Sequence, residues 1–175
     1  QGSAISPLLF LIFINDIDTK LSPTTLASLF ADDTVTGTQG KNKEKDKLAD
    51  STQKEVDKIA AWAVKWKMSI NADKIKCLIL SSSNADHSWN PHLTIDQTPI
   101  DAVKETNFLG KTIDSGLRFT KQIHNTVAKG TKRVNIIKCL AGKEWGEQLE
   151  TQRKIYLTYI RSCLEYASPC WWSCI

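Results

Sequence analysis

No stretch of this chain is apolar for long enough to cross a membrane as a helix. The longest run, Leu8 to Ile14, falls far short of the roughly 20 residues a bilayer requires, and no membrane partner is expected. No charged segment leads into an apolar one and a cleavage site, so no secretory leader is expected either. Methionine is represented by Met68 alone and the chain opens on Gln1, while Cys170-Trp171-Trp172-Ser173-Cys174-Ile175 closes it without a polar tail. A double tryptophan is surface that wants a partner, and both ends read as cuts in a longer protein. The five cysteines, Cys77, Cys139, Cys163, Cys170 and Cys174, are odd in number and form no CxxC pair. Two readings stay open for them. They are thiols packed as small apolar groups in a reducing, intracellular setting, or three of them, Cys163, Cys170 and Cys174, join a distant histidine around zinc. Internal repeats and low-complexity tracts are absent.

What is present is the make-up of a globular protein. At 175 residues, 41% hydrophobic and 24% charged, the chain can build one domain, or a domain and a half, around a true core. The net charge of +4 is modest, but it is unevenly spread. Residues 1–115 hold 13 Lys/Arg against 15 Asp/Glu, and residues 116–175 hold 10 against 4. A basic C-terminal third suits a polyanionic partner, whose counterions lysine and arginine displace. A solvated basic surface without a ligand fits the same count.

Along the chain, Ser6-Pro7 signals a helix start, with serine able to cap and proline at the first helical position. The helix that follows is apolar all round, so it is expected to be buried and to end near Lys20; Ser22-Pro23 then marks a turn. Thr25 to Ala31 reads as a buried strand, Asp32-Asp33 as a tight turn and Thr34 to Thr38 as the returning strand. A long helix is expected over about Lys43 to Lys67, where Leu48, Thr52, Val56, Ile59, Ala63 and Trp66 recur at helical spacing. Trp62 and Trp66, one turn apart, are expected in the core. Ile75 to Ser81 is a strand, Ser82 to Pro91 a polar loop, and Leu93–Ile95 with Pro99–Val103 a hairpin around Asp96-Gln97. Thr106 to Asp114 is a strand interrupted by Gly110. Beyond Gly116 the pattern is helical, with Ile123, Val127, Val134, Ile137 and Leu140 on one face and Leu149, Tyr156, Ile160, Cys163 and Ala167 on another. Mixed strands and helices followed by helices alone make an α+β fold, divided into residues 1–115 and 116–175. His87, His92 and His124 have no partner pattern and are assigned no role.

The chemistry centres on Leu29-Phe30-Ala31-Asp32-Asp33-Thr34. An apolar strand that ends in two carboxylates and turns back is suited to divalent cations, since magnesium prefers hard oxygen ligands on a rigid frame. Nucleotidyl transfer places two such ions about 3.5–4 Å apart. Taken alone, Asp-Asp after a strand is equally a polar turn.

Its neighbours add to it. Gln1-Gly2-Ser3-Ala4-Ile5-Ser6-Pro7-Leu8-Leu9-Phe10 stands upstream, where a glycine beside an amide lets a nucleic-acid backbone approach. Ile14-Asn15-Asp16-Ile17 closes that helix. Trp62 and Trp66 lead into Met68-Ser69-Ile70-Asn71-Ala72-Asp73-Lys74, and Phe108-Leu109-Gly110 follows. In this order and spacing the chain resembles the reverse transcriptases of non-LTR (LINE-like, jockey-like) retrotransposons. These carry QGS-x-x-SPLLF, [YF]ADD, W-x-x-x-W-x-x-x-x-N-x-x-K and FLG in turn.

The resemblance implies the second half of a polymerase palm, an antiparallel sheet with packed helices, followed by a helical thumb with Leu164-Glu165-Tyr166 in it. It implies that Asp32, and less directly Asp33, hold two Mg2+ ions, and that Gln1, Gly2 and Phe30 face template and nucleotide. By the same resemblance Lys74 protonates departing pyrophosphate, and Phe108, Leu109 and Gly110 belong to the primer-gripping hairpin. Lys121, Lys129, Lys132, Arg133 and Lys138 would meet the nucleic-acid backbone, positioning a duplex without reading it. The implied partners are an RNA template, a DNA primer, deoxynucleoside triphosphates and the remainder of a parent polyprotein. The implied setting is intracellular, with nuclear and cytoplasmic locations both open.

The chain departs from the pattern in places. Ile75 stands where the family often has threonine, and Phe30 where tyrosine is frequent. The family's earlier metal-binding aspartate and its fingers have no counterpart in this sequence, so the chain alone is expected to be inactive. A non-catalytic nucleic-acid-binding remnant of a decayed element is the alternative. A protein-interaction fragment held by Trp171-Trp172 is a third reading, without a motif of its own.

Overall fold

A computed structural model of the chain describes residues 3–141, 146 and 148–172. Helix α1 spans Ser6–Ile14, and the hairpin of β1 (Leu26–Phe30) and β2 (Asp33–Gly37) precedes the long helix α2, Lys45–Lys65. Then come β3 (Lys76–Leu78), β4 (Thr94–Ile95), β5 (Thr98–Pro99), β6 (Asp101–Val103), β7 (Glu105–Phe108) and β8 (Lys111–Asp114). Helices α3 (Thr120–Leu140), α4 (Leu149–Ile155), α5 (Ser162–Glu165) and α6 (Ser168–Trp171) follow, with a π-helical turn, Tyr156–Arg161, joining α4 to α5. The fold is α+β. The strands pair only in twos among the described residues, β1 with β2, β3 with β6, β4 with β5 and β7 with β8. The chain forms two compact units, residues 1–77 with 89–102 and residues 78–88 with 103–175. The β7–β8 hairpin groups with the helices that follow it.

In the first unit α2 is the organising element. Its Trp62 and Ala63 close a core with Ile14 and Ile17, joined by Phe10, Phe13, Leu29 and Ile59. A neighbouring stripe, Val56 and Ala60, covers a second core of Leu93, Ile95 and Ile100. One helix thus serves two apolar clusters, about a quarter turn apart on its surface. The β4–β5 hairpin is fixed by Asp96 and Gln97, both at positive φ (47° and 65°), the pair of dihedrals a type I′ reversal needs. The expected second strand of that hairpin divides at buried Ile100: β5 pairs with β4 and β6 with β3.

Helix α1 is not buried all round. Only its Phe10, Phe13 and Ile14 join the core, while Leu8, Leu9, Leu11 and Ile12 are exposed, because its neighbour α2 can cover one side only. It ends at Ile14, with a 3-10 turn over Asp18–Lys20 beyond it. Ser6 does not cap it either; Ser3 Oγ accepts the Ile5 N–H at 3.3 Å. Strand β1 is exposed except for Leu29, since a two-stranded ribbon has one face to offer a core. Trp62 is buried, but Trp66 remains 40% exposed, resting edge-on against Phe13 with ring centres 5.0 Å apart.

The Thr106–Asp114 segment is not one strand but the β7–β8 hairpin. Helix α3 turns Gln122, Thr126 and Gly130 inward, and Val127 is exposed. The reason is polar and steric. Gln122 Oε1 accepts the Thr112 backbone N–H at 3.0 Å, its Nε2 donates to Thr126 Oγ1 at 2.8 Å, and Gly130 leaves room for Leu164. Leu149 and Tyr156 do not share a buried face with Ile160. The π turn between them adds a residue to one turn and slips the phase, leaving Ile160 buried and the other two exposed. Leu140 of the expected α3 face has no described side chain.

Glu55 ties α2 to the turn before β1. Ser22 donates to it twice, N–H to Oε2 at 2.9 Å and hydroxyl to Oε1 at 2.6 Å, and Lys58 Nζ donates to Oε1 at 2.9 Å. Burial pushes this carboxyl up, but the hydrogen bonds and the Lys58 charge outweigh it and hold the pKa at about 2, below the ordinary 4.5. A depressed carboxylate stabilises fully above its unfolded pKa and loses that contribution as pH falls through the folded one. Urea midpoints measured from about pH 5 down to about pH 2 should therefore fall less in Glu55→Gln than in the natural chain. Equal acid sensitivity would contradict the role given to Glu55.

Candidate active-site hairpin

The β1–β2 ladder runs Leu26 opposite Gly37, through Leu29 opposite Thr34, to Phe30 opposite Asp33. The reversal is made by Ala31 and Asp32 alone. Asp33, expected in the turn, is the first residue of β2. Ala31 takes φ of +53° and Asp32 is not among the positive-φ residues, so the first central place of this two-residue reversal holds a non-glycine in the left-handed region. An L-residue enters that region at a cost of about 1–2 kcal/mol. The surrounding hairpin therefore has to enforce it.

Side chains alternate across the ribbon. Leu29 is on the inward face and joins the Ile14–Trp62 core. Phe30 and Asp33, directly opposite one another, are on the outward face with Leu26 and Val35; Phe30 is 62% exposed. Asp32 projects from the turn and is also exposed. The tip therefore presents two carboxylates and an aromatic ring to solvent, with one leucine as the anchor behind them.

That anchor reaches further back in the sequence. Trp62 Nε1 donates to Asp16 Oδ1 at 2.9 Å, and Phe13 meets the same indole with ring centres 5.9 Å apart. The Ile14-Asn15-Asp16-Ile17 motif and the Trp62–Trp66 motif are thus joined by a hydrogen bond and by a shared core that also holds Leu29. In the sequence Asp16 stands in a motif without a partner. The signal is weak, since a pairing across 46 residues leaves no local periodicity.

The remaining candidates are spread over the two units. Gln1 and Gly2 lie outside the described residues. Lys74 ends a 3-10 turn, Ala72–Lys74, in the first unit and its side chain is exposed. Phe108, Leu109 and Gly110 form the end of β7 and the turn of the second unit's hairpin. The five cations of α3 divide. Lys121 is paired with Glu105, and Arg133 donates to the Tyr159 carbonyl and stacks 4.4 Å from its ring centre. Lys129, Lys132 and Lys138 are exposed and make no ion pair among the described residues.

A network around Ser81 had no sequence signal. Its N–H donates to Ser115 O at 3.1 Å and its hydroxyl to buried Asp86 at 2.8 Å, while its carbonyl accepts from His87 Nε2 at 2.8 Å. Part of the polar loop beyond β3 is therefore pinned.

Magnesium fits the carboxylates of the tip by type, but the ligand set does not close. No group of three or more His, Cys, Asp or Glu side chains able to hold a metal gathers among the described residues. Two neighbouring carboxylates are less than a two-metal site demands. No cysteine–histidine zinc group gathers among them either, and Cys174 lies outside them.

A model of the family "Reverse transcriptase (RNA-dependent DNA polymerase)" matches residues 1–113. The chain is 30% identical over 173 residues to the RNA-directed DNA polymerase from mobile element jockey of Drosophila funebris, covering 95% of this chain and 18% of that protein. It is 28% identical over 174 residues to the jockey polymerase of Drosophila melanogaster, with the same coverage. To the probable RNA-directed DNA polymerase from transposon X-element of Drosophila melanogaster it is 29% identical over 128 residues, 70% of this chain and 13% of that one. The chain thus spans less than a fifth of the length of these relatives. No solved structure matches.

The shared core gives a direct test. Trp62→Phe leaves Asp16 without its indole donor and opens a gap beside Ile14 and Ile17. A loss of about 1–3 kcal/mol in chemical denaturation is expected. Asp16→Asn, which keeps an acceptor oxygen at the same place, should lose less. If the two variants fall equally, the hydrogen bond has no special part in holding this core.

Proposed function

Because the chain belongs to the reverse transcriptase family, we propose that it is a segment of an RNA-directed DNA polymerase of a jockey-like non-LTR element, with the Ala31–Asp32 turn facing the reaction centre. The observation that carries this reading is the exposed Asp32–Asp33 pair at a hairpin tip anchored by Leu29. Enzymes of this family use divalent metals. In the intact parent, Asp32 and less directly Asp33 contribute carboxylates toward two Mg2+ ions, completed by an aspartate from elsewhere in the polypeptide. Such ions would supply Lewis-acid stabilisation of the charge that develops during nucleotidyl transfer.

The reaction proposed for the parent is in-line attack of the primer 3′-hydroxyl on the α-phosphorus of a deoxynucleoside triphosphate, directed by an RNA template. Phe30, beside Asp33 on the outward face, offers its ring to the nucleotide, and Gln1 and Gly2 approach the template. Lys74, held in solvent on its own turn, can give a proton to departing pyrophosphate. Phe108, Leu109 and Gly110 meet the primer strand. Residues 1–115 belong to the palm and 116–175 to the thumb, the rest of the parent polyprotein supplying what they lack. An intracellular setting, nuclear or cytoplasmic, follows from the reaction proposed.

Lys129, Lys132 and Lys138 favour a second reading alongside the first. A non-catalytic remnant of a decayed element would keep these exposed cations and bind duplex through phosphates alone. A longer polypeptide that restores an upstream aspartate should regain primer extension on the first reading and stay silent on the second.

Two outcomes are expected of the 175-residue chain itself. In a primer-extension assay with magnesium it should give no product; product would overturn the incomplete metal site. It should bind an RNA–DNA hybrid with an affinity that falls steeply with salt. Lys129→Glu with Lys132→Glu should weaken that binding by at least about tenfold. Arg133 is unsuited to this test, since reversing it would break its contact with Tyr159. Salt-independent binding would remove the backbone-contact reading.

A further inference from the structure

The β7–β8 hairpin reverses through Leu109 and Gly110, at φ of 47° and 76°. Phe108 pairs with Lys111 across the reversal, so this is a two-residue turn of I′ type. Its outer side is open: among the described residues a Cβ added at Gly110 would meet nothing within 4 Å. Its inner side is held by a residue far away in sequence. Tyr166, just past α5, donates its hydroxyl hydrogen to the Leu109 carbonyl at 3.1 Å across 57 positions. The same aromatic ring carries Lys111, whose Nζ is 4.7 Å from the ring centre. One tyrosine therefore fixes both the turn's carbonyl and the first cation after it.

The charges around this point are unbalanced. Burial lowers the Lys111 pKa, the Cys163 thiol acts the other way, and the nearby Lys129 adds repulsion that lowers it again. Neither lysine makes an ion pair with a carboxylate among the described residues, although Lys121 on the same helix as Lys129 does. Folding gains nothing by gathering two ammonium groups. A bound anion reverses that penalty, and a lysine on an aromatic face has less freedom to lose when it binds one.

We propose that Lys111, seated on Tyr166 and accompanied by Lys129, contacts a phosphate of a nucleic-acid strand lying across the Leu109–Gly110 turn. Tyr166 is the positioning residue that fixes both turn and ammonium. This rests on the nucleic-acid reading above and adds to it Lys111 as a contact and Tyr166 as its support. A strand is favoured over a free nucleotide because Gly110 of the turn is exposed and, among the described residues, nothing stands within 4 Å of a Cβ there to enclose a base.

The test uses the full 175-residue chain and a labelled RNA–DNA hybrid, with anisotropy titrations from about 50 to about 200 mM salt. Lys111→Ala should weaken binding about fivefold and flatten the slope of log K against log salt by close to one, the signature of one lost phosphate contact. Lys111→Arg should restore both. Tyr166→Phe, which removes only the hydroxyl, should weaken binding about threefold with the slope unchanged. It should also speed amide exchange in β7–β8 without altering global unfolding. A merely structural lysine would move affinity without moving the slope. Wild-type affinity and slope in Lys111→Ala would overturn the proposal while leaving the nucleic-acid reading in place. Absence of any hybrid binding by the natural chain would overturn both. Free deoxynucleoside triphosphate that displaces hybrid from the natural chain, but not from Lys111→Ala, would reassign Lys111 to a nucleotide and overturn the strand contact.

Discussion

Trp62 is where the first unit is decided. Its indole closes a core with Ile14, Ile17 and Ala63, meets Phe13 with the two rings tilted, and spends its only polar hydrogen on Asp16. A buried indole N–H without an acceptor costs about 1–3 kcal/mol, so Asp16 and Trp62 have to meet for this core to close. Leu29 enters the same cluster, and through it the carboxylate-bearing hairpin takes its place. The exposed pair Asp32–Asp33 thus depends on a contact made well behind it. This is a common division of labour: a rigid, apolar rear holds a polar tip that has no packing of its own.

The second unit solves a different problem. Its strands are short, and its long helix α3 turns glutamine, threonine and glycine inward rather than a full apolar stripe. Gln122 extends the hydrogen bonding of β8, and Gly130 gives up a side chain so that Leu164 can approach. Arg133, an obvious phosphate ligand by type, is engaged with Tyr159 at the π turn. The basic character of residues 116–175 is therefore not one uniform surface. Some cations are structural, some are paired, and a few are left for solvent or ligand. Counting charge gives the total and not this partition.

Much of the fold was legible because it rests on local rules. The reversal at Asp96-Gln97, the hairpin around Asp32 and the long α2 follow from turn chemistry and from helical spacing, both of which act within a few residues. Helix α1 shows the limit. Seven apolar residues in succession say that a helix can be buried on any side, and only the presence of α2 decides which side is. The run from Leu149 to Ala167 shows another: a single π turn slips the register of a 3.6-residue pattern, and nothing in Tyr156–Arg161 announces it.

The sequence by itself determined which motifs occur and in what order, and hence the family and the pair of carboxylates at a strand-to-strand turn. Backbone propensity and side-chain type are properties of neighbouring residues, so they survive being read in one dimension. Tertiary structure alone decided that Asp16 serves Trp62, that Arg133 is committed while Lys129 and Lys132 make no ion pair among the described residues, and that Tyr166 reaches the Leu109 turn. These pairings join residues 26 to 57 positions apart. Their existence depends on chain reversals in between, and a charge or a hydroxyl carries no mark of the partner those reversals will bring to it.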